Sequence, residues 1–266
     1  MKVLIAGYGN MGKTYANSFI SSRFIKPEDI FVLVRNEDSI AGETTIPKAN
    51  FSTVPTEKIS DFDIVILAVK PQDFDVLAQS MKHHLKDSQI IFSVMAGITI
   101  SKLESKLSCS RIVRSMPNIP TQIGMGMTVF SASAKVDRKE LFIIQNLINT
   151  TGKSVYVENE KLIDAATAIS GSGPAYVFYF MQSMIKVAVD LGFSESEAEL
   201  LVNQTFMGSV AIQSSYSLSN EEWIAKVASK GGTTESALRI FEKGALENTI
   251  VEAVKAANNR ALELGS

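Results

Sequence analysis

The sequence predicts an α/β protein in which residues 1–160 form a parallel sheet covered by helices and residues 161–266 form an all-helical domain. Three observations support this prediction. In the first part, short continuous apolar runs alternate with helical patterns, which is typical of a parallel sheet buried on both faces. A glycine-rich turn directly follows the first apolar run. After about residue 161 the pattern is helical, and Ser-x-x-Glu sequences mark helix starts.

Composition places the chain among ordinary globular proteins and excludes several classes of partner. Hydrophobic residues make up 45% and charged residues 20%, with a net charge of −2. No basic excess predicts nucleic-acid binding, and no apolar run approaches the ~18 residues of a membrane span. With Cys109 as the one cysteine and two adjacent histidines, we expect no metal site. We expect a soluble, cytoplasmic protein.

The first strand and the turn after it predict a Rossmann dinucleotide-binding domain. The apolar run Val3 to Ala6 leads into the sequence GYGNMG and then a helical pattern, which is the strand–turn–helix setting of the G-x-G-x-x-G motif. The glycines allow a tight turn and a close approach of pyrophosphate to the helix N-terminus. The alternative is a glycine-rich turn that only packs the helix on the sheet. The predicted cofactor-binding residues here are Gly7, Gly9, Asn10, Met11 and Gly12.

The end of the second strand indicates which dinucleotide is bound. The strand Ile30–Val34 ends in Arg35 and Asn36, where NAD-binding folds usually carry a carboxylate for the ribose 2′-hydroxyl. A guanidinium pairs with a 2′-phosphate, whereas a carboxylate repels it. The sequence therefore favours NADP(H) over NAD(H). The alternative is that Arg35 is a solvated loop cation.

Further strands are predicted downstream, and their ends form a candidate cofactor rim. They cover residues 63–69, 89–97, 111–116 and 126–132. Ligands of open parallel sheets bind outside the carboxyl ends of the strands. The segments 68–71, 95–97 and 116–120 all fall at such ends, so we expect them to line the cofactor site.

The second part of the chain contains five predicted helical segments. One runs from Pro174 towards Gly192, two begin at capping boxes at 194–197 and 219–222, one runs from near Thr234 to Gly244, and the last spans 247–264. The wide apolar face of the helix 174–191 is too large for one small helical layer to cover. We therefore expect at least a homodimer that buries this helix.

Two segments rich in glycine and hydroxyl groups open helices in this region. SGSGPAY (170–176) and SKGGTTESA (229–237) bring small residues and free backbone N–H groups to helix N-termini, which attract anions. Simple capping is the alternative for either one; together they favour a small carboxylate substrate. No strand-end histidine is available as a proton relay. We therefore expect hydride transfer to an electrophile such as an imine, which needs no strong acid from the protein.

These motifs together resemble the pyrroline-5-carboxylate reductase family over essentially the whole chain. The matching stretches are GYGNMG, AVKP (68–71), MAG (95–97), MPNIP (116–120), DAATAISGSGPAY (164–176) and GGTTESAL (231–238). The resemblance implies a Rossmann domain followed by a helical dimerisation domain. It also implies NADPH, with NADH possible, as hydride donor, and reduction of 1-pyrroline-5-carboxylate to L-proline as the activity.

The resemblance also assigns site residues. It implies further cofactor contacts at Ala68, Val69, Lys70, Pro71, Ala96, Gly97 and Asn118. It implies substrate contacts at Glu160, Ser229, Gly232, Thr233 and Thr234, with Thr234 as the catalytic residue that hydrogen-bonds the ring nitrogen.

Two departures from the family pattern and two alternative functions stay open. Lys230 stands where many members have proline, and Ile119 where many have threonine. Neither change removes a reacting group, but both leave room for a regulatory paralogue without activity. The other alternative is a β-hydroxyacid dehydrogenase. That class carries a catalytic lysine with a nearby asparagine on its central helix, whereas the 174–191 helix has only Lys186 and no asparagine.

Overall fold

The computed structural model describes residues 1–265, with Ser39 described by its backbone alone. The strands are β1 Val3–Ala6, β2 Ile30–Leu33, β3 Phe51–Ser52, β4 Ile64–Leu67, β5 Ile90–Ser93, β6 Ile112–Met116, β7 Gly126–Ala132 and β8 Gly152–Tyr156. The helices are α1 Asn10–Ser21, α2 Phe74–Met81, α3 Ile100–Leu107, α4 Arg138–Asn149, α5 Leu162–Ala166, α6 Gly173–Asp190, α7 Glu195–Ser215, α8 Asn220–Val227, α9 Thr233–Lys243 and α10 Leu246–Gly265.

The eight strands form one sheet in the order β3-β2-β1-β4-β5-β6-β7-β8. The first six strands in chain order are mutually parallel, as expected, and follow the Rossmann strand order. The strand at 126–132 runs antiparallel to β6, so the expectation of a wholly parallel sheet is wrong there. Two edge strands, β3 and β8, were not predicted from the sequence.

Two hydrophobic cores cover the two faces of the sheet, because successive side chains of a strand point to opposite faces. On β1, Val3 and Ile5 belong to the core that includes Tyr15 and Phe19 of α1. Leu4 belongs to the opposite core, which includes residues of α2 and α3. The strands are therefore buried on both sides, which explains their continuous apolar runs.

The chain divides by packing into two compact units. The first contains residues 1–172 together with the end of α10 from Ala257 onward, and the second contains Gly173–Ala256. The predicted division after residue 160 thus differs from the packing division, since α5 and the turn after it pack with the sheet. Within the second unit, Phe180 of α6 makes ring contacts with Phe206 and Phe241 at centroid distances of 6.2 and 6.4 Å.

Both capping boxes predicted from Ser-x-x-Glu sequences are confirmed. Ser194 and Ser219 each accept a hydrogen bond from the N–H three residues later, and Glu197 and Glu222 reach back to the capping residues. Within residues 1–265, the structure contains no helix of the length and apolarity that a membrane crossing requires.

The long helix α6 begins at Gly173 within the segment SGSGP, as expected, but one of the N–H groups expected to be free there is occupied. Helix α5 continues through a π-helical turn, Thr167–Gly171, into α6. The N–H of Ser172 donates to the carbonyl of Thr167 at 2.8 Å, five residues back, which occupies a donor that was expected to be free. The Ser170 hydroxyl bonds the carbonyl of Ala166 at 3.0 Å. Glycine and serine here form part of a continuous helical run.

Candidate functional site

The glycine-rich turn after β1 leaves the start of α1 open to a ligand. Gly7 has a φ of +101°, which favours glycine, and its N–H donates to the carbonyl of Leu33 at 2.8 Å. Gly9 is the N-cap of α1, so no side chain caps the helix, and the first turn carries no acidic residue. A Cβ at Gly9 would meet no atom within 4 Å. Uncapped N–H groups beside open space fit the pyrophosphate of a dinucleotide.

The segment after β4 lies next to this turn. The Ala68 N–H donates to the carbonyl of Ala6 at 2.8 Å, which continues the pairing of β1 with β4. A Cβ built at Gly7 would lie 2.7 Å from the Ala68 carbonyl oxygen and 2.9 Å from Val69 Cγ1. Lys70 and Pro71, which follow, are exposed. The structure therefore brings the predicted residues 68–71 against the predicted glycine-rich turn.

Arg35 lies exposed after β2, where the sequence placed it, but it has a partner that sequence reasoning missed. Its Nη2 atom is 2.5 Å from Asp73 Oδ2, with side-chain exposures of 74% and 33%. Asp73 belongs to a short 3-10 turn, Pro71–Asp73, between β4 and α2. Asn36 is also exposed. The sequence feature that could have indicated this ion pair is the position of Asp73 shortly after β4, because the ends of β2 and β4 lie on the same sheet edge.

A second carboxylate reaches the glycine-rich turn from the loop after β2. The Tyr8 hydroxyl donates to Glu43 Oε2 at 2.7 Å, and the Thr45 N–H donates to Glu43 Oε1 at 2.7 Å. Partial burial raises the pKa of Glu43, but these hydrogen bonds outweigh it and hold the pKa below its usual value. Burial and the neighbouring carboxylate raise the pKa of the Tyr8 phenol. The pair therefore ties this loop to the predicted cofactor turn.

The predicted residues after β5 and β6 lie on the same sheet edge. Ala96 is half-buried and Gly97 is buried at the end of β5. A Cβ at Gly97 would lie 2.9 Å from the carbonyl oxygen of Leu264, so the end of α10 packs against this turn. Because β1, β2, β4, β5 and β6 are parallel neighbours, their carboxyl ends bring all predicted cofactor residues to one edge.

Asn118 uses both ends of its amide in hydrogen bonds to the backbone. Its Oδ1 atom accepts from the Met127 N–H at 2.9 Å, and its Nδ2 atom donates to the Ser170 carbonyl at 3.1 Å. Pro174, four residues after Ser170, has no N–H to offer that carbonyl. Asn118 thus satisfies a carbonyl that the proline leaves open. Its predicted cofactor contact stays a prediction.

Glu160 belongs to a buried charged cluster. Arg114, in the middle of β6, is 1% exposed and pairs with Glu160 Oε1 at 2.9 Å and with Asp164 Oδ1 at 2.5 Å. Glu160 Oε1 also accepts the N–H of Ile100 at 2.8 Å, at the start of α3. The cluster joins β6, α5 and the segment after β5. The predicted substrate contact of Glu160 stays a prediction, and its observed role is to pair with Arg114.

The remaining predicted substrate residues lie together in the second unit. Gly232 is the N-cap of α9, and no side chain caps this helix. A Cβ at Gly232 would lie 2.6 Å from Ser229 Oγ and 3.0 Å from the Ser229 carbonyl oxygen, so Ser229 approaches the backbone of Gly232 closely. Within the part of the chain that the structure describes, the hydroxyls of Thr233 and Thr234 have no hydrogen-bond partner. The α9 start offers hydroxyl groups and first-turn N–H groups to an anion, and the carboxylate of Glu235 in the same turn is occupied by the Gly231 N–H at 2.6 Å and by Arg239 at 3.2 Å.

These features define a dinucleotide-binding protein of the Rossmann type with an added helical unit. Comparisons with known proteins agree with that class. Residues 2–97 match the family model described as NADP oxidoreductase, coenzyme F420-dependent. Residues 160–264 match the model described as pyrroline-5-carboxylate reductase dimerisation.

Full-length relatives identify the family. A pyrroline-5-carboxylate reductase of Aquifex aeolicus is 33% identical over 99% of this chain and 97% of its own length. A pyrroline-5-carboxylate reductase of Pseudomonas aeruginosa is 36% identical over 85% of this chain and 82% of its own length. The solved structure of Plasmodium falciparum pyrroline carboxylate reductase with NADP bound superposes with a TM-score of 0.90 at 30% identity, covering 100% of this chain and 98% of that one. The chain belongs to the pyrroline-5-carboxylate reductase family, which confirms the resemblance seen in the sequence.

Proposed function

We propose that this protein reduces the C=N bond of 1-pyrroline-5-carboxylate to give L-proline, with NADPH or NADH as the hydride donor. The observation that carries the proposal is the start of α9, where an uncapped helix N-terminus carries two unpartnered threonine hydroxyls within the described chain. Family membership supports the same activity. The cytoplasmic location stays a prediction of the sequence.

The cofactor is held by the carboxyl edge of the sheet. The first turn of α1 binds the pyrophosphate, because its N–H groups are uncapped and no acidic residue stands among them. Arg35 pairs with the 2′-phosphate of NADPH. Ala68–Pro71, Ala96, Gly97 and Asn118 complete the same edge. When bound, the dinucleotide supplies the hydride.

The substrate is held by the start of α9. Its first-turn N–H groups and the hydroxyls of Ser229 and Thr233 bind the carboxylate. The Thr234 hydroxyl hydrogen-bonds the ring nitrogen, which becomes more basic as the imine carbon takes the hydride. The nitrogen takes its proton from water, since an imine is protonated easily and needs no strong protein acid.

Thr234→Val tests the catalytic role, because it removes the hydroxyl at similar volume. An interaction made mainly in the transition state lowers kcat and kcat/KM together. We expect a loss of about tenfold or more in NADPH oxidation with pyrroline-5-carboxylate. Thr249→Val is the matched control, because Thr249 is an exposed threonine near the start of α10 whose hydroxyl bonds the Ala245 carbonyl. Unchanged constants in Thr234→Val would show that the hydroxyl has no part in the reaction.

Arg35→Ala tests the cofactor assignment. We expect it to raise KM for NADPH much more than KM for NADH, since a charge-assisted pair is worth roughly 1.5–3 kcal/mol. An equal rise for both cofactors would mean that Arg35 does not contact the 2′-phosphate.

We further propose that two copies of the chain associate through the face of α6. None of the 18 residues of α6 is buried within the chain. An apolar cavity of about 620 Å³ lies beside it in the second unit, and Tyr179 and Leu191 on its wall are 74% and 76% exposed. Apolar surface of this kind is typical of obligate interfaces.

Sedimentation equilibrium of Val187→Asp tests this association. Val187 lines the cavity and is 55% exposed, so we expect the acidic variant to dissociate. Phe142→Asp is the control, because Phe142 is 67% exposed on α4 of the first unit. A fully active wild-type monomer at assay concentration would contradict the proposal.

A further inference from the structure

An ion pair joins the loops that flank the glycine-rich turn. Arg35 follows β2 and Asp73 follows β4, and β1 lies between these two strands in the sheet. The glycine-rich turn begins directly after β1. The Arg35 Nη2–Asp73 Oδ2 contact of 2.5 Å therefore links the two sides of the sheet edge at which the pyrophosphate is proposed to bind.

The Asp73 carboxylate occupies part of the guanidinium that a 2′-phosphate would contact. A guanidinium carries five N–H donors in a fixed planar fork that suits carboxylates and phosphates alike. Asp73 contacts the Nη2 end of this fork. Its carboxylate also adds a negative charge next to any phosphate that binds Arg35, which is unfavourable. Both effects oppose the binding of a 2′-phosphate.

We propose that Asp73 is a specificity-determining residue that lowers the preference of this protein for 2′-phosphorylated over unphosphorylated dinucleotides. The inference rests on the proposed function. Asp73 acts as an internal anion that competes with the 2′-phosphate for Arg35. Removal of its charge leaves the guanidinium free for the phosphate and increases the discrimination between the two nucleotides.

The size of the effect follows from the exposure of the pair. Arg35 is 74% and Asp73 33% exposed, so solvent screens their attraction strongly. An exposed ion pair contributes little free energy, and its removal changes an equilibrium by about two- to fivefold. We therefore expect Asp73→Asn to tighten the binding of a 2′-phosphorylated nucleotide by about two- to fivefold.

Calorimetric titration of the full-length protein with 2′,5′-ADP and with 5′-AMP measures this effect without turnover. We expect Asp73→Asn to bind 2′,5′-ADP more tightly and 5′-AMP with unchanged affinity. Asp75→Asn is the matched control. It removes the same charge two residues away, from an exposed carboxylate whose partner is Lys106 Nζ at 3.2 Å. This control should leave the ratio of the two affinities unchanged.

A double variant assigns the effect to Arg35. In an Arg35→Met background, Asp73→Asn should tighten the binding of 2′,5′-ADP clearly less than it does in the wild-type background, because only the direct repulsion between carboxylate and phosphate remains. Weaker binding of 2′,5′-ADP by Asp73→Asn, equal tightening of both nucleotides, or the same gain in Asp75→Asn would overturn the inference and leave the proposed function standing. A wild-type protein that binds neither nucleotide would overturn the proposed function, and this inference with it.

Discussion

Two glycine-to-alanine substitutions at the start of α1 are expected to affect different properties, one mainly the stability of the fold and the other mainly nucleotide binding. At Gly12 an added Cβ would lie 2.0 Å from the carbonyl oxygen of Gly7 and 3.3 Å from Cγ2 of Ile5. At Gly9 it would meet no atom within 4 Å, and the φ of −79° suits any residue. Gly12→Ala therefore disturbs the packing of α1 on β1. Gly9→Ala places a methyl group only in the space beside the uncapped N–H groups.

The distances from each added Cβ to its neighbours determine how large the loss of stability should be. Non-bonded heavy atoms prefer separations of about 3.5 Å, so α1 has to move by more than about 1 Å in Gly12→Ala. Overpacking against side chains costs about 1–3 kcal/mol. Here the obstacle is backbone, and we expect a loss of at least about 3 kcal/mol in the free energy of unfolding. Gly9→Ala should lose about 0.5–1 kcal/mol, because alanine is a poor N-cap. It should weaken nucleotide binding about tenfold or more.

Urea unfolding followed by circular dichroism measures the first effect, and calorimetric titration with 2′,5′-ADP measures the second. Gly9→Ala also serves as the control for Gly12→Ala, because it adds the same methyl group to the same turn. A Gly12→Ala protein within about 1 kcal/mol of wild type would refute the close approach of α1 to the turn. Undiminished binding by Gly9→Ala would refute the proposed phosphate site.

Three further predictions concern residues inside the first unit. Arg114→Met should lower the free energy of unfolding by about 3–5 kcal/mol in urea, because two carboxylates lose their buried partner; a loss under about 1 kcal/mol would contradict this. Asn118→Ala should cost about 2 kcal/mol by the same measurement, since two backbone groups lose a hydrogen bond, whereas full stability would show that water replaces the amide. Burial and a nearby carboxylate raise the pKa of the Cys109 thiol to about 11. At pH 8 this thiol should react with a disulfide reagent at least about tenfold more slowly than in the unfolded chain, because its smaller thiolate fraction outweighs the higher nucleophilicity of a more basic thiolate; an equal rate would contradict its burial.

The sequence was most informative where one local rule decides the structure. The strands at 3–6 and 126–132 begin and end at the predicted residues, because glycines and polar residues bound their apolar runs. The helix starts at Ser194 and Ser219 were predicted from the capping residues alone. The cofactor edge was predictable because parallel strands place their carboxyl ends together.

The features that were missed depend on distant parts of the chain. Strand β3 has two residues and β8 carries a lysine and a serine, so neither shows an apolar pattern. The direction of β7 depends on the path of the segment between β6 and β7, and apolar periodicity carries no information on direction. The π-helical turn at 167–171 is rich in small residues, which by themselves predict a loop. The helical conformation is supported by Asn118, a residue distant in sequence, which donates to the Ser170 carbonyl that Pro174 leaves open. Charged partners such as Asp73 were not predicted, because ion pairs require the fold to bring distant residues together.

The division of the chain has a consequence for experiments that cut or shorten it. Along the chain, the helical unit lies between two parts of the sheet unit, since Ala257 and the residues after it pack with residues 1–172. Two covalent links therefore join the units, one after Ser172 and one within α10. A protease that cleaves either link leaves the units attached through the other. A premature stop before α10 removes part of the sheet unit as well as helical sequence, so loss of nucleotide binding in such a truncated chain would not assign the binding site to the helical unit.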